Sequence, residues 1–142
     1  MKTHGGFLVS QVRQLSARAF EKILRESGID AFNGAQGRIL YVLWEHGQLS
    51  FSELGRLTSL AKTTLTSMVD RMEESGLVVR MPDTKDRRQI FVAVSEKARE
   101  YRKVYDQVSE QMNAVFYKDF NEKEILFFED TLRRIMHNLE NY

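Results

Sequence analysis

Apolar residues recur every three or four positions along most of this chain, with one interval where the period drops to two. From about Phe7 to Ser27, Leu8, Val12, Leu15, Ala19 and Ile23 hold one face of an amphipathic helix, widened by Phe20 and Leu24. Gly28 follows as a stop, since glycine tolerates the left-handed backbone that ends many helices. A second helix is expected from Gly34 to His46, with Ile39, Leu40 and Leu43 inward and Gly47 as its stop. Ser50-Phe51-Ser52-Glu53 is a capping-box pattern that opens a third helix, with Leu54 and Leu57 inward. The fourth spans about Ala61 to Ser75. Its Leu65, Met68, Val69 and Met72 form a single stripe at i, i+3, i+4 and i+7, and Gly76 closes it.

Two short β-rich runs follow, Leu77 to Met81 and Ile90 to Val94. They bracket the polar stretch Pro82-Asp83-Thr84-Lys85-Asp86-Arg87-Arg88, as in a hairpin. Pro82 at the strand end removes only one ladder donor. The helical period returns after Ser95, where Tyr101, Val104, Val108, Met112 and Val115 mark one long helix over about Glu96 to Phe120. Asn121-Glu122-Lys123-Glu124 resembles a capped start. The terminal helix behind it carries Ile125, Phe128, Leu132, Ile135 and Leu139.

This order predicts a mainly α fold with a small β-hairpin wing. Residues 33–95 form a winged helix-turn-helix lobe, and residues 1–32 and 96–142 form a helical dimerisation region. The terminal helices have apolar stripes too long for so small a lobe to bury. A second copy of the chain is the simplest surface to cover them.

Composition adds exclusions. Cysteine is absent, which removes disulfides, thiolate metal sites and thiol redox switches. No run of about 18 apolar residues exists, so no membrane span or membrane partner is expected. The N-terminal stretch lacks a signal-peptide pattern, which makes a cytoplasmic protein the default. His4, His46 and His137 lie far apart without ligand spacing, so no metal site is expected. No Gly-rich phosphate loop, nucleophile elbow or paired-carboxylate motif stands out, so neither an enzyme nor a cofactor is expected.

The formal net charge of +1 does not by itself announce nucleic acid, so charge placement must carry that case. A helix in the major groove, about 12 Å wide, needs a small, polar outward face. Lys62, Thr63, Thr64, Thr66 and Ser67 supply one, and Arg71 stands one turn further on. A short capped helix beginning at Ser50 precedes this stretch, as a helix-turn-helix requires. Lys85, Arg87 and Arg88 follow on the hairpin tip. An arginine there can enter a narrow minor groove, with Asp86 holding Arg88 by a charge-assisted hydrogen bond. Either feature alone also fits a solvated helix face or an ordinary charged turn. Their combination favours double-stranded DNA. A winged helix used only for assembly would carry apolar residues on that outward face, and a primary small-molecule sensor would betray itself by ligand-dependent DNA affinity.

The stretch Leu49 to Ala98 resembles the MarR family of transcriptional regulators. The residues that carry the likeness are Leu49-Ser50-Phe51-Ser52-Glu53-Leu54, Lys62-Thr63-Thr64-Leu65-Thr66, Asp70 through Val78, Asp83 through Arg88, and Ser95-Glu96-Lys97-Ala98. The resemblance implies a triangular homodimer with interlocked terminal helices. It places Lys62 to Ser67 in the major groove of a pseudo-palindromic operator and Arg87 or Arg88 in the minor groove. It further implies repression, with release by a small aromatic or anionic effector. The family often has serine at the position of Ala61, so here Ser59 or the turn itself must cap the reading helix. Trp44, Phe116, Tyr117, Phe120, Phe127 and Phe128 can line an effector pocket or simply pack the core and dimer seam. Gly37 removes bulk either for such a space or for a close helix crossing.

Overall fold

The computed structural model describes all 142 residues. Seven helices and three strands follow in the order α1 (Gly5–Glu26), α2 (Gly34–His46), β1 (Leu49–Ser50), α3 (Phe51–Thr58), α4 (Lys62–Glu74), β2 (Val78–Pro82), β3 (Ile90–Val94), α5 (Glu96–Arg99), α6 (Arg102–Phe116) and α7 (Glu122–Glu140). The sheet is antiparallel in the order β1-β3-β2, with Leu49 opposite Val92 and Val78 opposite Val94. No helix is long and apolar enough to cross a membrane.

Local chemistry explains most boundaries. Asn33 and Gln36 form a reciprocal capping box at the start of α2, and Asn121 and Glu124 do the same for α7. At α3 the expected box is altered. Ser50 Oγ accepts from the Glu53 amide, but the Glu53 carboxylate accepts from the Ser50 hydroxyl instead of reaching the backbone. Ser59 does not cap α4. It sits at φ 58° as the left-handed end of α3, and Ala61 at the N-cap of α4 offers no side-chain acceptor. The turn alone therefore launches α4.

The segment expected as one helix from Glu96 to Phe120 is broken. Ser95 caps α5, whose four residues give way to a turn at Glu100–Tyr101, and α6 then runs only to Phe116. Tyr117 leaves helical geometry, and Asp119 adopts φ 67° to turn the chain into α7. The Ser95 hydroxyl also donates to the Gly76 carbonyl, tying the end of the wing to the end of α4.

The core sits within the central lobe. Ile39, Leu40, Leu43, Leu54, Leu65, Val69, Met72, Val78, Val92 and Ala98 are essentially sealed from solvent, and Leu24, Tyr105 and Val108 extend the core toward α1 and α6. Tyr105 lies at its centre, ringed by Phe20, Phe32, Tyr41 and Trp44 at centroid distances of 5.4–6.3 Å. By contrast, α7 has no fully buried residue. Phe127, Ile135, Met136 and Leu139 on α7, and Phe7, Leu8, Val9, Val12 and Leu15 on α1, stand exposed.

Candidate nucleic-acid interface

Helix α4 divides cleanly by period. Leu65, Val69 and Met72 are buried against the lobe, while Lys62, Thr63, Thr64, Thr66, Ser67 and Arg71 are exposed. The Thr66 hydroxyl donates to the Lys62 carbonyl at 2.8 Å, so its oxygen remains available only as an acceptor. The amides of the first turn have no side-chain cap, and they add a partial positive charge beside Lys62.

The wing tip is ordered by its two aspartates. Asp83 Oδ1 accepts from the Lys85 amide at 2.9 Å, and Asp86 Oδ1 accepts from both the Arg88 amide at 3.0 Å and Arg88 Nε at 3.2 Å. Arg88 nevertheless presents 91% of its side chain to solvent. Lys85 and Arg87 are exposed beside it.

A groove of about 510 Å³ brings the two features together. Ser50, Phe51, Arg56, Lys62, Arg88 and Gln89 are among its lining residues. Lys62 and Arg88 thus share one concavity, whereas Thr63, Arg71, Lys85 and Arg87 face solvent outside it. Ser50, also expected as a DNA contact, lines the groove but is only 9% exposed, with its hydroxyl engaged by Glu53. Arg56, on α3, is a cation in this groove that the sequence reading did not single out, although its place in the last turn of a short helix leading into the turn is a recognisable signal.

Arg80 was missed as well. It lies on β2, two residues after buried Val78 and therefore on the inward face of the strand. Its guanidinium donates to Asp70 and Glu73 of α4 and lies over the Phe51 ring. The bond to Asp70 holds its pKa above the ordinary arginine value, against the opposing effect of desolvation. A charge at an inward register of a short strand was the available clue.

Away from this face, the aromatic residues divide. Phe116, Tyr117, Phe120 and Phe128 line an apolar cavity of about 450 Å³ with Val12, Leu15, Met112 and Val115. Trp44 is instead part of the core, where its Nε1 has no hydrogen-bond partner, and Phe127 stands 75% exposed. A neighbouring cavity of about 490 Å³ is more polar. Arg13, Arg38, Phe20, Tyr105, Tyr117 and Glu129 are among its walls. Burial pushes the Tyr105 phenol up to about 12, with Arg38 opposing. Tyr117 also rises to about 12, through partial burial and donation to Glu129 at 2.7 Å. Gly37 opens no vacancy. A Cβ there would lie 2.7 Å from Tyr105 and 3.2 Å from Phe32, so the glycine serves close packing.

The MarR-family model matches residues 32–90. Over 106 residues, the chain is 30% identical to the HTH-type transcriptional regulator FarR of Neisseria gonorrhoeae, covering 74% of this chain and 70% of that protein. The chain belongs to the MarR family. Its fold follows that of MarR from E. coli in complex with operator DNA, at 24% identity and a TM-score of 0.81 over 92% of this chain and 91% of the other. It is also similar to NadR in complex with 4-hydroxyphenylacetate, at 26% identity and a TM-score of 0.73 over 95% and 93% of the two chains. As a MarR-family regulator it combines a mostly helical body with a small three-stranded winged lobe.

Proposed function

We propose that this chain is a homodimeric transcriptional repressor that reads a pseudo-palindromic operator with α4 and the wing. The reading rests chiefly on the outward face of α4. Lys62, Thr63, Thr66 and Ser67 form a small, hydroxyl-rich surface with no apolar side chain on it, and Lys62 adjoins Arg88 through a shared groove. Such a face fits the major groove, where hydroxyls meet base edges and lysine meets phosphate or guanine. Arg88, projecting but tethered by Asp86, suits the adjacent minor groove. Thr64, Arg71, Lys85, Arg87 and Arg56 are assigned to the flanking phosphates.

The dimer reading has its own support. A folded monomer of this mass should expose about 7,600 Å², yet the chain exposes 10760 Å². Most of the large apolar side chains left uncovered lie on α1 and α7, with Val115 near the end of α6. We assign residues 1–32 and 96–142 to the dimerisation region and 33–95 to the DNA-binding lobe. Selection of bound duplexes from a random pool, followed by anisotropy titration across salt, tests the proposal. A dimer neutralising about 6–8 phosphates gives a slope of log affinity against log salt near −5 to −7. A slope near zero refutes it.

The cavity holding Arg13 and Arg38 beside Phe20, Tyr105 and Tyr117 suits a small aromatic anion, with cations for the carboxylate and rings for the body. NadR, with 4-hydroxyphenylacetate bound, supports that chemistry. Such an effector releases DNA only to the extent that it prefers the non-binding spacing of the two α4 helices. Titration with 4-hydroxyphenylacetate should weaken operator binding in the wild-type chain and not in Arg38→Ala. Equal behaviour of the two chains removes the cavity from the proposal.

A further inference from the structure

We propose that Arg80 is a positioning residue for DNA recognition, one that sets the attitude of α4 relative to the wing and so governs specificity. This rests on the DNA reading above. Arg80 Nη1 donates to Glu73 Oε1 at 2.9 Å and Nη2 donates to Asp70 Oδ1 at 2.5 Å, while the guanidinium carbon lies 5.5 Å from the centroid of Phe51. One side chain thereby joins three elements: the first wing strand, the start of α3, and the C-terminal half of α4. Phe51 in turn lines the groove that Lys62 and Arg88 share.

The geometry separates positioning from simple stabilisation. Asp70 and Glu73 are exposed, with 58% and 43% of their side chains open, against 24% for Arg80. Ion pairs this open to water add little to global stability. A forked guanidinium holding two carboxylates one turn apart instead restricts direction, because both bonds must be kept in one plane. Asp70 also follows Thr66 by four residues on the exposed face of α4, so the fork grips the side of the helix that the DNA reading turns toward the bases. Rotation of α4 about its axis would break one arm or the other.

Charge masking is the competing account, since Arg80 also neutralises two carboxylates close to where phosphate would lie. The two accounts predict different results for Asp70→Ala/Glu73→Ala, which removes both the charges and the acceptor oxygens. Loss of two negative charges strengthens all DNA binding if masking is the whole role. Loss of the fork's acceptors weakens discrimination if positioning is the role.

The test compares the wild type, Arg80→Ala, Arg80→Lys and Asp70→Ala/Glu73→Ala on a duplex selected by the wild type from a random pool and on its scrambled counterpart. The expected result is a drop of about tenfold or more in the ratio of specific to non-specific affinity for Arg80→Ala and for the double variant. Affinity for the scrambled duplex should stay within about threefold of wild type for Arg80→Ala. Arg80→Lys keeps the charge without the fork and should not restore the ratio. Hydroxyl-radical footprints should lose wing protection at the flanks while α4 protection persists. An unchanged ratio in the double variant, or rescue by lysine, overturns the proposal even if Arg80→Ala proves too unstable to assay. If the wild type selects no sequence at all, the DNA reading itself falls and takes this proposal with it.

Discussion

Gly37→Ala sets two well-measured effects against each other inside α2. Alanine gains about 1 kcal/mol over glycine in a helix interior. The added methyl, however, would stand 2.7 Å from Tyr105 Cε2, with Phe32 Cε2 at 3.2 Å and Cδ2 at 3.4 Å. The Tyr105 contact must widen to 3.4 Å or more to become ordinary. Tyr105 is 6% exposed and boxed in by Phe20, Phe32, Tyr41 and Trp44, while Phe32 is 5% exposed and packed edge-on to Tyr101 and Trp44. Phe32 is closed in by these neighbours and Tyr105 is open only on the side of the cavity it lines, so an overpacking cost of roughly 1–3 kcal/mol is set against the helix gain. The expected net loss is up to about 2 kcal/mol, read by urea denaturation at fixed chain concentration. Trp44, the single tryptophan, has its ring 5.4 Å from Tyr105 and should report the repacking in its emission. Gly34→Ala is the control. Its Cβ would also meet an atom at 2.7 Å, but that atom is the end of the flexible Glu21 side chain, which can swing away for about 1 kcal/mol of lost hydrogen bonding to the Gly34 amide, leaving the Phe20 ring at 3.1 Å to yield by a few tenths of an ångström. A Gly37→Ala chain as stable as wild type, or costing less than Gly34→Ala, refutes the packing argument.

Three further outcomes are expected. Arg88→Ala should leave the melting temperature nearly unchanged, because its side chain is 91% exposed, yet weaken operator binding about tenfold or more in an anisotropy titration. Tyr105 holds its proton up to about pH 12 when folded, against about 10 when unfolded. Between those values the folded state binds the extra proton, so stability falls as pH rises, by about 2–3 kcal/mol in all. Urea melts from pH 9 to 12 should show a slope that is shallower in Tyr105→Phe, and identical slopes would exclude Tyr105 as the source. Ile135→Asp, on the exposed apolar face of α7, should shift the chain toward monomer in sedimentation velocity, since an unpaired carboxylate at a covered seam is costly.

Where side chains themselves set the boundary, the sequence was legible. The stripe Leu65, Val69, Met72 gave α4 and its outward face, Gly47 closed α2, and the Asn121–Glu124 box opened α7. Tertiary demands hid the rest. The strand Leu49–Ser50 has two residues, too few to display alternation, and exists because β3 offers an edge. No glycine or proline marks the break at Glu100–Tyr101, and the apolar stripe from Tyr101 to Val115 begins at that break and so gives no sign of it. Tyr105, off the expected stripe, is buried because Gly37 allows a ring to approach α2. Arg56 and Arg80 entered the site through folding across distant segments, which spacing along the chain does not display.

Helix α7 has a thermodynamic consequence. With no fully sealed side chain of its own, it cannot be held by intrachain burial to the same degree as the central lobe. Its order is then set by how much protein is present: dilution should fray the C-terminal arm first, and the melting midpoint should climb with concentration. A cell that lowers the amount of this protein would therefore lose folded arms along with molecules, and occupancy of its sites would fall faster than the copy number.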